Sequence, residues 1–103
     1  MNPFDICVAY ISWETGGKRR PILLLVNAND YAEVFRITSK YEGKSKTIQA
    51  QYFEINDWQQ AGLSGLSYID TVASIEVPIS LISSTIGKLT ENDKQRLLKF
   101  LNE

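Results

Sequence analysis

Apolar residues in this chain recur at strand spacing in short segments, and only the last segment carries the spacing of a helix. Phe4 to Ile11 alternates, with Ile6, Val8 and Tyr10 on one side, the period-two pattern of a half-buried strand. Pro21 opens a continuous apolar run, Ile22 to Val26, which suits a strand buried on both faces. Val34 to Ser39 and Ser67 to Val77 are rich in β-branched and aromatic residues, and Thr47 to Ile55 sets Ile48, Ala50 and Tyr52 opposite Gln49, Gln51 and Phe53. All three read as strands. Turn chemistry separates them: a glycine-containing basic loop over Glu14 to Arg20, then Asn27 to Asp30, then Gly43-Lys44-Ser45. Asn56-Asp57 is placed to cap a short helix through Ala61, stopped by Gly62.

The C-terminal segment differs in kind. Thr90 followed three residues later by Asp93 resembles a capping box, and Leu97, Leu98, Phe100 and Leu101 fall within one arc of a helical wheel. The spacing predicts a helix over Glu91 to Leu101 that packs on its own sheet. Five or so short strands and one terminal helix predict a mainly β fold, a small curled antiparallel sheet or barrel. At 103 residues, without linker or repeat, the expected organisation is one domain over residues 1–103.

What the chain lacks removes whole reaction classes. It has no histidine and one cysteine, Cys7, so a Cys/His zinc site, a Ser-His-Asp triad and a Cys-His pair are excluded. The carboxylates are dispersed, without the clustering that magnesium requires; no metal or cofactor is expected. The single cysteine agrees with a reducing compartment. The longest apolar run is far below the ~20 residues of a membrane helix, and Met1 to Asp5 lacks the blocks of a signal peptide. A cytoplasmic protein is expected, with no membrane partner.

Net charge is −1, unevenly spread. Lys18 to Lys46 carries seven cations against three anions, whereas the rest of the chain carries four against nine. Such asymmetry permits a basic face on an acidic body, able to collect phosphates by displacing their counterions.

The stretch Gly16-Gly17-Lys18-Arg19-Arg20-Pro21-Ile22-Leu23-Leu24-Leu25-Val26-Asn27 resembles the opening of the MazF/PemK toxins, the ribonuclease halves of bacterial toxin–antitoxin pairs. Phe35-Arg36-Ile37-Thr38-Ser39 is similar to the strand of that family that ends in a catalytic threonine, and the segment Leu89 to Leu101 fits its closing helix. The resemblance implies a small SH3-like barrel, a homodimer, a protein antitoxin partner, and metal-independent, sequence-selective cleavage of single-stranded mRNA. It implies contact with operator DNA only as the toxin–antitoxin complex. Arg20 matches the catalytic arginine before proline, and Thr38 the catalytic threonine, with Ser39 beside it. There are departures: Ser67 to Val72 holds Asp70 but no arginine, Phe4-Asp5-Ile6-Cys7-Val8 replaces the usual Gly-Asp-Ile-Val opening, and Ile75 to Pro78 lacks a basic residue. They leave a second reading, a catalytically inactive barrel that binds nucleic acid or a partner protein.

RNA cleavage through attack of the ribose 2′-hydroxyl needs a proton acceptor, charge stabilisation and a proton donor. Without histidine, the acceptor must be a carboxylate, a perturbed Lys or Tyr, or water; Glu14 and Asp70 are the nominees. Arg20 offers a planar fork of donors for phosphate oxygens, and Thr38 and Ser39 add hydroxyl donors. Lys18, Arg19, Arg36 and Lys40 supply further cations for an RNA strand, Glu14 at the entrance of the basic loop is expected to contact it too, and Trp13 and Tyr10 are aromatic surfaces on which bases can stack. Trp58 reads as a packing anchor. Leu63, Leu66 and Tyr68 in an otherwise polar segment predict exposed apolar surface, and with it a homodimer.

Overall fold

A computed structural model describes residues 1–103. Its β-strands are β1 (Asp5–Trp13), β2 (Gly16–Asn27), β3 (Tyr31–Thr38), β4 (Tyr52–Glu54), β5 (Tyr68–Pro78) and β6 (Ile82–Lys88). Two helices, α1 (Lys46–Gln49) and α2 (Glu91–Leu101), complete the chain, with a single 3₁₀ turn at Ile79–Leu81. The strands form one sheet in the order β4-β5-β3-β2-β1-β6, antiparallel throughout. The protein is therefore mainly β with a C-terminal helix, as its sequence predicts, but the sheet is open: β4 and β6 are edges and do not pair with each other. No helix is long and apolar enough to cross a membrane.

Alternation along the strands builds two clusters, one on each face. Ile6, Leu23, Phe35, Ile37, Phe53 and Ile69 point to one face, where Leu97 and Phe100 of α2 cover them together with Ile55, Ala61, Leu63 and Leu89. The opposite face holds a smaller cluster built from Cys7, Ala9, Ile22, Leu24, Ala32, Val34 and Val77. Because the side-chain period is two, the residues that continue this second face beyond its apolar part are Arg20 on β2, Arg36 and Thr38 on β3, and Asp70 on β5.

The loop from Ile55 to Ser67 is anchored by a buried carboxylate. Asp93 is fully buried and accepts the backbone N–H groups of Asn56 (3.3 Å) and Asp57 (2.8 Å) while pairing with Arg96. The capping box is thus half formed: Thr90 Oγ1 accepts the Asp93 N–H at 3.3 Å, but the Asp93 carboxylate turns to the loop instead of back to the helix start. The inward arc of α2 runs through Asp93 and Leu97, so that Leu98 and Leu101 are exposed. Gly62, at φ +91°, sits against the Ile86 carbonyl of β6, too close for a Cβ.

Several expectations shift. The basic segment predicted as a loop is strand: Gly16 to Arg20 pairs with β1 along the whole register from Trp13 opposite Gly16 to Ala9 opposite Arg20. Thr47 to Ile55 splits into α1 and the short β4, because Ser45 caps a helical turn by accepting the Ile48 N–H at 3.3 Å. Asn56 to Ala61 forms successive turns rather than a helix, although the Ala61 N–H does reach the Asp57 carbonyl at 3.0 Å. β6 was not expected; its Ser83-Ser84-Thr85 stretch carries no apolar alternation, as suits an edge strand. Leu63 is buried in the core, Tyr68 is half-buried against Tyr41, and of the three residues offered as exposed apolar surface only Leu66 is exposed. Trp58 packs against the core as expected.

Candidate nucleic-acid interface

Pro21 determines where the interface opens. Proline has no N–H to give a ladder, and the β2–β3 pairing stops beside it, at Ile22 opposite Arg36. From there β2 continues toward Gly16 paired only with β1. The same register carried further would set Arg20 across from Thr38, but the strands part, and two adjoining grooves open there. One, of about 430 Å³, runs past Lys18, Arg19, Arg20, Thr38, Ser39 and Lys40 toward the Ser64-Gly65-Leu66 loop. The other, of about 420 Å³, holds Trp13, Arg36, Lys44, Tyr52 and Asp70. Arg20, Thr38 and Lys40 line both.

Cross-strand register sets the second groove. Arg36 on β3 faces Asp70 on β5, and Asp70 faces Tyr52 on β4, so three side chains stand in a row across three strands on one face. Residues 67–72 hold no arginine, and the guanidinium beside Asp70 is that of Arg36 on the neighbouring strand. β5 bulges immediately after this row, since Arg36 pairs with Asp70 but Val34 with Ile75. One Asp70 oxygen accepts the Val72 N–H at 3.0 Å and Thr71 binds the Gln51 carbonyl, which fixes the bend. Thr38 is held in turn: its Oγ1 accepts the Lys40 N–H at 3.1 Å, leaving its own proton for an incoming oxygen. The Arg20 guanidinium lies 6.0 Å from the centroid of the exposed Trp13 ring, within cation–π range.

Cations far outnumber anions in these grooves. The single ion pair in the chain is Arg96 with Asp93, on the other side of the sheet. Lys18, Arg19, Arg20, Arg36, Lys40 and Lys44 have no anion within bridging distance, and Asp70 is the one carboxylate lining either groove. Cations gathered without partners favour an anionic ligand. Two tyrosines beside them hold their protons firmly. Burial first, then the Asp70 charge, lifts the Tyr52 phenol above its ordinary 10.0, with Arg36 opposing. Burial, then Glu54, Tyr41 and Glu42, does the same for Tyr68. Tyr41 stacks on Tyr68 at 4.5 Å between centroids and meets Tyr52 edge-on at 6.4 Å, making an aromatic wall.

The residues singled out in the sequence thus converge unequally. Arg20, Thr38, Asp70, Arg36, Lys40 and Trp13 meet in one groove, and Lys18, Arg19 and Ser39 lie in the adjoining one. Glu14 does neither: it sits exposed at the β1–β2 turn, outside both grooves, because the hairpin extends four residues past Arg20. Tyr10 lies across Gly17 rather than beside Arg20. Sequence reasoning missed Tyr52 and Lys44. Tyr52 was legible only as one of an alternating apolar set, and its polar neighbours come from strands far along the chain.

No protein-family model matches the sequence, and no curated protein does. Among solved structures, the chain is similar to Mycobacterium tuberculosis toxin MazF-mt6, with a TM-score of 0.73 over 95% of this chain and 92% of that one. The fold is MazF-like. Sequence identity over that match is 19%, so the likeness speaks for the arrangement of strands and helix.

Proposed function

We propose that this chain is an endoribonuclease toxin that cleaves single-stranded RNA by attack of a ribose 2′-hydroxyl on the adjacent phosphorus. The observation that carries the reading is the groove in which Arg20, Thr38 and Asp70 converge among unpaired cations on a MazF-like fold. Asp70 accepts the 2′-hydroxyl proton. The new O2′–P bond forms as the P–O5′ bond breaks, giving a 2′,3′-cyclic phosphate and a free 5′-hydroxyl. Arg20 stabilises the phosphorane as a preorganised charged donor, worth roughly 100- to 1000-fold. Thr38 donates to a phosphorane oxygen, with Ser39 available in the adjoining groove. Lys18, Arg19, Arg36 and Lys40 track the strand, and Trp13 stacks a base. No three His, Cys, Asp or Glu side chains come together, and the charge work falls to these cations without a metal ion. The reading carries with it a single functional domain, a second copy of the chain, an antitoxin protein that covers the groove, and residence in the cytoplasm.

A long single-stranded RNA incubated with the purified protein in excess chelator tests this. Fragments ending in 2′,3′-cyclic phosphate are expected. Intact RNA, retained on the protein, would leave the second reading, a barrel-like module that binds without cutting.

A further inference from the structure

We propose that the Tyr52 phenol is the proton donor to the leaving 5′-oxygen, the acid partner of Asp70. The inference rests on the RNA-cleavage reading above and assigns the one role that reading leaves open. A chain without histidine must protonate the departing 5′-oxygen from another group. Arginines hold their protons too tightly. The hydroxyls of Thr38 and of Ser12, which also lines this groove, would leave alkoxides as basic as the leaving group itself, so transfer from them gains nothing. Lys40 and Lys44 are exposed and lie on no regular element that would aim them. Tyr52 remains. Its strand fixes it: β4 pairs it with Asp70, and the edge-on Tyr41 ring packs beside it.

The row Arg36, Asp70, Tyr52 also closes the proton account. In the reaction Asp70 gains the 2′-hydroxyl proton and Tyr52 gives one to O5′, leaving a protonated carboxyl next to a phenolate. The two are direct cross-strand neighbours, so the proton passes back between them, directly or through one water, and the site resets without an outside acid. Meanwhile the phenolate shares its groove with the cations Arg36 and Lys44. Side-chain reach separates the two roles. A carboxylate stops close to its strand, where Asp70 holds the Val72 amide, whereas a phenol extends across its ring, so the two reach different depths of one groove. Burial and the Asp70 charge keep the proton on the resting phenol, and Arg36, which opposes them, favours its release as the phenolate forms.

The test is Tyr52→Phe, which keeps the ring and its packing. A cut site is first located in a long RNA with the unaltered protein. Single-turnover rates at saturating concentration are then measured on an oligonucleotide spanning that site, once with the natural 5′-oxygen and once with sulfur in its place. The thiolate leaves without a proton. Tyr52→Phe should lower the rate on the oxygen substrate by ~100-fold or more, hold RNA affinity within about threefold, and match the unaltered protein within about threefold on the sulfur substrate. A variant that cleaves the oxygen substrate normally overturns the assignment while leaving the cleavage reading intact. So does an equal loss on both substrates, which would make Tyr52 a positioning residue. An unaltered protein that cuts no RNA overturns both.

Discussion

Replacing Arg20 with alanine separates a catalytic from a merely attractive cation, because Arg19 beside it provides the comparison. Both line the first groove, only Arg20 also lines the second, and neither has an ion-pair partner. Six unpaired cations line the two grooves together: Lys18, Arg19, Arg20, Arg36, Lys40 and Lys44. If each neutralises one phosphate of a single strand, log Kobs falls against log salt with a slope of about −4, and affinity drops about 300-fold between roughly 50 and 200 mM salt. Removing either arginine takes ~0.7 from that slope, so the same salt change then costs about 130-fold. On affinity the two variants should look alike.

On chemistry they should not. Arg20→Ala is expected to lower the single-turnover rate at saturating RNA by about 100- to 1000-fold, and Arg19→Ala to leave it within about threefold. Folding should survive both. Arg20 loses no salt bridge, only a 6.0 Å contact with an exposed indole, and such surface changes stay near 0.5 kcal/mol. Nitrocellulose binding across a salt series gives the slopes, and quenched single-turnover cleavage gives the rates. Equal, small rate effects from Arg19 and Arg20 would refute the catalytic role and favour binding without cutting.

Thr38→Ala removes one neutral hydroxyl donor, worth roughly 1–1.5 kcal/mol, and should slow single-turnover cleavage about tenfold without changing RNA affinity; an unchanged rate refutes its role. Asp93→Ala strands the Asn56 and Asp57 amides and frees Arg96, so urea denaturation should report a loss of about 2–4 kcal/mol, and a loss under ~1 would mean the loop is anchored elsewhere. Gly62→Ala forces a Cβ onto the Ile86 carbonyl at a positive φ, whereas Gly65→Ala meets nothing within 4 Å. Thermal melting should show the first destabilised by at least about 2 kcal/mol and the second unaffected.

Sequence periodicity located elements whose patterns are local. Asp5–Trp13, Tyr31–Thr38 and Tyr68–Pro78 lie within a few residues of the segments read from alternation in the first and from β-branched and aromatic content in the other two, and Glu91–Leu101 matches its expected span. It failed where one pattern serves two structures. Ile48, Ala50 and Tyr52 alternate as a strand does, yet Ser45 accepts the Ile48 amide and turns the first half into helix. It failed again where glycines and basic residues looked like a loop. Gly16 and Gly17 lie beneath the Trp13 and Tyr10 rings, and such close approach of side chain to backbone is a strand use of glycine that composition cannot distinguish from a flexible turn. β6 escaped notice because an edge strand with small polar residues needs no apolar face.

The candidate site was legible in its parts on β2 and β3 and illegible in the row that joins them. Arg20 and Thr38 were singled out with their chain neighbours, but what brings them together is the end of a ladder: Pro21 cannot donate, pairing stops at Ile22 opposite Arg36, and the space between the parted strands is the groove. A proline before a strand is visible in any sequence, whereas its effect on a neighbouring strand requires the register. Asp70 looked isolated, and the missing arginine in residues 67–72 looked like a lost function. The bulge after Asp70 changes the register so that Arg36 comes opposite it, and a cation drawn from β3 stands where the sequence of β5 offers none. A residue brought opposite another across the ladder leaves no trace in linear spacing. The same logic makes Tyr52 part of the groove, since its partner Asp70 lies eighteen positions along the chain and one strand away.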